Sequence, residues 1–161
     1  IDLAGFSTGV VEKAEIIDGR LIRSGDKIIG LPSSGLHSNG YSLVNDMLWR
    51  HKISYKDMPE LLTPTTIYAK EIQHLLQTLP IMGMAHITGG GLQENIDRVI
   101  PQGMTAHIDF STFKQPNVFN IIQEKGDITT EEMRKVFNCG IGYAIIIPRD
   151  VEYGTQIGEI K

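Results

Sequence analysis

Basic charge, thiols and long apolar runs are all scarce in this 161-residue sequence, and each shortage excludes something. Lys and Arg together number 15 against 19 Asp and Glu, giving a net charge of −4. That balance argues against nucleic acid as a partner, because phosphate backbones recruit basic surfaces. No apolar run approaches the roughly 20 residues that span a bilayer, so no membrane partner is expected. No basic stretch followed by an apolar core opens the sequence, so no signal peptide is expected either. Cys139 is the sole cysteine, which excludes an internal disulfide framework and fits a reducing, cytoplasmic location. His51, His74 and His107 form no spacing suited to a metal. Neither G-x-x-x-x-G-K-[ST] nor G-x-G-x-x-G occurs, so neither a P-loop nor a dinucleotide fingerprint is supported.

The apolar share of 41% and charged share of 21% are those of an ordinary soluble globular protein. The length suits one domain, 1–161, with a single sizeable core. Phe6 to Val11 reads as a strand and Lys27 to Leu31 as a short buried one. Tyr41, Val44, Met47 and Leu48 recur at helical spacing, predicting a helix over Gly40–His51. Tyr68, Ile72, Leu75, Leu76 and Leu79 predict another, with Thr65 or Thr66 as N-cap and Pro80 closing it. Gly83–Ile87 and Met104–Asp109 read as strands, with a helix carrying Leu92, Ile96 and Val99 between them. A helix begins near Pro116, Thr129 and Glu132 form a capping box for the next, and Tyr143–Ile147 and Gln156–Ile160 are strands. The whole reads as a mixed α/β domain with helices packed on a sheet.

Two strand–loop–helix junctions stand out. Pro32 to Gly40 holds Ser33, Ser34, Gly35, His37, Ser38 and Asn39, more small polar residues than a turn needs. Thr88, Gly89, Gly90 and Gly91 form the second. A helix N-terminus has unsatisfied N–H groups and partial positive charge, glycine allows close backbone approach, and hydroxyls add donors. Two such loops suggest a ligand with phosphate groups, although the same residue types serve as caps and turns. Neither loop contains Lys or Arg, so a cation for phosphoryl transfer must come from elsewhere. His37 is a candidate for phosphate contact or proton transfer, whereas His86, inside an apolar strand, reads as a satisfied core histidine. Cys139 is expected to pack as a small apolar residue.

The segments "AGFSTGVVEK" (Ala4–Lys13), "GLPSSGLHSNGYSLV" (Gly30–Val44), "AHITGGGLQENIDRVIP" (Ala85–Pro101) and "FNCGIGY" (Phe137–Tyr143) resemble the phosphoribosylformylglycinamidine cyclo-ligase family, also called aminoimidazole ribonucleotide synthetase. They follow the family's order and span most of the chain. The resemblance implies an α+β fold, a three-layer α/β/α arrangement with a mixed sheet flanked by helices. It implies that this is the C-terminal, substrate-binding domain of a homodimeric enzyme of purine biosynthesis. An N-terminal domain that binds ATP and Mg2+ and builds the dimer would be absent from this chain, as the missing initiator methionine also suggests. The substrates implied are formylglycinamidine ribonucleotide and ATP, with no metal held in this domain. The chemistry of the two loops makes Ser33, Ser34, Gly35, His37, Ser38, Asn39 and Thr88 to Gly91 candidates for phosphate or substrate binding, and His37 a candidate catalytic residue. The alternative is a non-catalytic phosphate-ligand or assembly domain of the formylglycinamidine ribonucleotide amidotransferase or selenophosphate synthetase type. In the family a helix separates the last two strands; here Pro148 to Tyr153 passes almost at once to "GTQIGEIK".

Overall fold

The computed structural model describes residues 4–161. Among the described residues five strands form one sheet: β1 (Lys27–Pro32), β2 (Gly83–His86), β3 (Ala106–Ile108), β4 (Ile141–Ile147) and β5 (Thr155–Ile160), in the order β2-β4-β1-β5-β3. Five α-helices among the described residues accompany it: α1 (Tyr41–Trp49), α2 (Ala69–Thr78), α3 (Gly91–Asp97), α4 (Asn117–Gly126) and α5 (Thr130–Val136). The domain is therefore α+β. Every pairing in the sheet is antiparallel, which corrects the expectation of a mixed sheet.

Side chains alternate across a strand, and both faces of the central strands are apolar, so they read as continuous hydrophobic runs. Ile28, Ala144, Ile146 and Ile157 join Leu92 and Ile96 of α3 in one buried cluster. Ile29, Leu31, Ile145 and Ile147 face the other way, against Tyr68 and against Ile72 and Leu75 of α2. A third cluster of Leu36, Val44, Met47, Phe119, Ile122, Met133 and Phe137 lies between α1, α4 and α5. It seats Leu36, and with it the Pro32–Gly40 loop, on a rigid base.

Three local expectations need correction. Phe6–Val11 forms no strand within this chain, because no neighbour offers it a ladder. Helix α2 starts at Ala69 after Tyr68, with no side-chain cap from Thr65 or Thr66, since both lie too far ahead of its first turn. The capping box of α5 is half made: Glu132 N–H donates to Thr129 Oγ1 at 3.2 Å, without a reciprocal bond from the Glu132 carboxylate. No helix intervenes between β4 and β5. The two run parallel on either side of β1, joined by 148–154, a crossover shorter than the usual dozen residues. Val151 and Tyr153 of that link pack onto the α2 side of the sheet, and Lys27 Nζ donates to Val151 O at 3.1 Å.

Candidate functional site

Strand β1 delivers the first loop at its C-terminal end, and the loop is held from beneath by a residue far away in sequence. Asn138 is 2% exposed. Its Nδ2 donates to Gly35 O at 2.8 Å and Leu36 O at 3.3 Å, and its Oδ1 accepts from Gly140 N–H at 2.8 Å and Ser33 Oγ at 2.9 Å. All four hydrogen-bonding positions of that amide are thus used. The 63–66 segment holds the loop from the side. Ser34 Oγ donates to Pro64 O at 2.6 Å, and Ser38 Oγ meets Thr65 Oγ1 at 3.2 Å.

His37 closes this network from inside. It is 4% exposed, and its Nε2 accepts from Ser34 N–H at 3.2 Å and, at the 3.5 Å limit, from Thr66 N–H. An imidazole that accepts at Nε2 carries its proton on Nδ1, and Nδ1 is buried without a partner. Burial, and then the neighbouring His86, lower the pKa of His37 below the usual histidine value. The ring is therefore a neutral internal strut rather than a group open to solvent.

The second loop has its own buried amide. Asn95, 6% exposed, donates from Nδ2 to Gly91 O at 2.8 Å, Gly89 O at 3.2 Å and Thr88 O at 3.3 Å. Thr88 Oγ1 in turn donates to Asn95 Oδ1 at 3.1 Å. The glycines differ in purpose. A Cβ on Gly91 would lie 1.8 Å from Arg134 O, so this residue lets α3 pack against α5. Gly90 needs its left-handed φ of +98° to turn into the helix. Gly89 is exposed, and a Cβ there meets only Asn39 Oδ1, at 3.8 Å. Of the three, only Gly89 is exposed, with its N–H and carbonyl held by Asn39 and Asn95.

The fold brings the loops together. Gly89 N–H donates to Asn39 Oδ1 at 2.9 Å across 50 residues of sequence, leaving the Asn39 amide nitrogen available to a ligand. Beside this junction His86 is exposed, which corrects its reading as a core histidine: β2 is an edge strand and His86 is its last residue. Its ring stacks on Tyr143 with centroids 5.9 Å apart and lies 6.5 Å from His37. Tyr68 completes the group, donating to Pro32 O at 2.7 Å, and burial raises its pKa so that it stays a donor.

On the other side of Gly90 an open cleft of about 640 Å³ is lined by Arg98, Arg134 and Lys135 together with Glu94, Asp97 and Glu131. Arg98 pairs with Glu94, and Arg134 lies over the Phe110 ring at 3.9 Å. Cations thus come near the second loop from α3 and α5, balanced by as many carboxylates. The donor set does not suit magnesium. The loops offer amides, hydroxyls and N–H groups, and the nearby carboxylates of Glu94 and Asp97 are engaged by Arg98 and Gln93. Among the described residues no cluster of His, Cys, Asp or Glu could hold a metal ion. No helix among them is long and apolar enough to cross a membrane.

Sequence reasoning found both loops and missed Asn138, Asn95 and the 63–66 segment. A signal was present for each asparagine: a polar residue inside an apolar stretch, "FNCG" and "ENI", must satisfy its amide somewhere. Cys139 packs as expected, 1% exposed, with burial pushing its thiol up to about 11.

These features define the class. The family described as AIR synthase related protein, C-terminal domain, matches residues 23–155, and the chain belongs to that family. Among curated relatives, the phosphoribosylformylglycinamidine cyclo-ligase of Geotalea daltonii is 50% identical over 94% of this chain and 47% of its own length. The cyclo-ligases of Lawsonia intracellularis, 48% identical over 92% of this chain and 45% of theirs, and of Nitrosospira multiformis, 42% identical over 99% and 48%, are similarly related. The chain spans about half the length of these relatives.

Proposed function

We propose that this chain is the ribonucleotide-holding half of an ATP-dependent cyclo-ligase that closes formylglycinamidine ribonucleotide to aminoimidazole ribonucleotide, releasing ADP and phosphate, in purine biosynthesis. The observation that carries the reading is the junction of the two loops through Gly89 N–H and Asn39 Oδ1, in a chain about half identical to cyclo-ligases. The substrate's 5′-phosphate sits at the start of α1, against Ser38 and the Asn39 amide nitrogen beside Gly89, where the N–H groups of the first helical turn and the helix dipole favour an anion. Ser33, Ser34, Gly35 and Thr88, whose polar groups are already paired within the domain, shape the loops; Gly90 and Gly91 set the second loop's turn. His37 positions the first loop, and exposed His86 is the imidazole able to face substrate.

In the reaction the formyl amide oxygen attacks the γ-phosphate of ATP, and the internal nitrogen then displaces phosphate to close the ring. The transferring phosphoryl group needs positive charge that neither loop supplies. ATP, magnesium and the dimer contact therefore belong to the part of the relatives' length that this chain does not span, and the chain alone binds without turning over. A three-layer arrangement of helices about the sheet and a cytoplasmic location belong to the same reading.

The test is Ser38→Ala in a chain of the relatives' full length. Loss of one hydrogen bond to a charged group costs about 1.5–3 kcal/mol, roughly tenfold to a hundredfold. KM for the ribonucleotide should rise by that factor with KM for ATP unchanged; a rise for ATP alone would reverse the assignment.

A further inference from the structure

Strand β4 is irregular where it passes beneath the first loop. Leu31 of β1 pairs with Tyr143, but the next residue, Pro32, pairs with Ile141, so Gly142 is the extra residue of a β-bulge. Bulges re-aim the chain and recur beside active sites. Gly142 is buried, and its φ lies outside the left-handed region, so its backbone would accept a side chain. The space would not. A Cβ on Gly142 would overlap Tyr68 Oη and His37 Cε1 and lie 3.1 Å from His37 Nδ1. Neither ring can step aside freely. Tyr68 is buried with its hydroxyl committed to Pro32 O. His37 is buried with its Nε2 accepting from two segments at once, Ser34 N–H of the first loop and Thr66 N–H of the 63–66 segment.

We infer that Gly142 is a positioning residue for the first loop, and through it for the ribonucleotide. The bulge leaves a notch in β4 that seats the His37 ring, and the seated ring straps the 63–66 segment to the loop. Among the described residues, His37 Nδ1 is the one buried side-chain polar atom without a partner, so that edge of the ring is held by shape and not by a hydrogen bond. The notch also lies at the joint between the two loops. Gly142 O accepts from Ile87 N–H at 2.9 Å, just ahead of the second loop, and the next residue, Tyr143, carries the stacked ring of His86. Acting through His37, Gly142 fixes the meeting of Ser38 Oγ with Thr65 Oγ1, where the phosphate is placed. The ligand's identity rests on the ribonucleotide reading above; the seating of the ring does not.

The test compares Gly142→Ala, His37→Gly and the double variant in a chain of the relatives' full length. Glycine suits the φ of +60° at position 37, so that variant removes the ring without straining the turn. Amide exchange at Ser34 and Thr66 should quicken by at least about tenfold in each single variant, beyond any change in global stability. KM for the ribonucleotide should rise by about tenfold in each, with KM for ATP nearly unchanged. The double variant should be no worse than His37→Gly alone, because the added Cβ and the displaced Tyr68 hydroxyl then share the vacated seat. Unchanged exchange at Ser34 and Thr66 in Gly142→Ala, or effects that multiply in the double variant, would overturn the inference. If Gly142→Ala does not fold, recovery of folding in the double variant supports the seat, and failure to recover overturns it. Quickened exchange with an unmoved KM would uphold the seat and refute the ribonucleotide reading instead.

Discussion

Replacing Asn138 by leucine should loosen the first loop and leave the second intact. Leucine has the same branched four-atom side-chain skeleton as asparagine with somewhat more bulk, so the substitution removes hydrogen bonds without opening a cavity. Three of the four partners, Gly35 O, Leu36 O and Gly140 N–H, belong to buried residues and would lose that amide as partner. An orphaned buried group costs about 1–3 kcal/mol, so a cost near the lower bound for each gives roughly 3–5 kcal/mol. Domains are stable by about 5–15 kcal/mol, so a folded population survives. At about 2–4 °C per kcal/mol for this size, the melting temperature should fall by roughly 6–20 °C. Thermal melting combined with hydrogen exchange separates the local effect from the global one. In N138L, amides 33–40 should exchange faster by more than the loss of global stability explains, and amides 88–91 should not. Asn95→Leu should show the reverse. A melting shift below about 3 °C, or equal loosening of both loops by either variant, would refute the idea that each buried amide clamps its own loop.

The glycines of the second loop should separate cleanly: Gly89→Ala should leave melting unchanged and weaken ribonucleotide binding, whereas Gly91→Ala should destabilise strongly because its Cβ would overlap Arg134 O. His37 has its pKa lowered in the folded state, so the unfolded chain binds more protons as pH falls below about 6.5. Stability should therefore be full above that pH and decline as pH falls through the lowered folded value, and His37→Gln should flatten that part of the melting-temperature profile. Cys139, with its thiol pushed up to about 11 and 1% exposed, should resist a thiol reagent at pH 8 until the protein is denatured.

Much of this architecture was legible because apolar periodicity decided it. Ile28 to Leu31 and Tyr143 to Ile147 could only be buried strands, and the Tyr68–Leu79 stripe only a helix. The loops were legible as excess polar residues and glycines. What anchors the first loop was not, since Asn138 reaches Ser33, Gly35 and Leu36 across 102–105 residues of sequence, a separation that no local pattern encodes. The exposure of His86 and the burial of His37 were not legible for one reason. Burial of a lone histidine depends on which strand is an edge and which loop is strapped down, and both are set by tertiary order. Strand direction was not legible either: the resemblance implied a mixed sheet, but every neighbouring pair in the order β2-β4-β1-β5-β3 is antiparallel.

The most direct measurement is amide hydrogen exchange of a chain of the relatives' full length, with formylglycinamidine ribonucleotide and with ATP added separately. If the two loops hold the ribonucleotide, residues 38–40 and 88–90 gain protection with the ribonucleotide and not with ATP. Protection of these residues by ATP alone, or by neither ligand, would contradict the account.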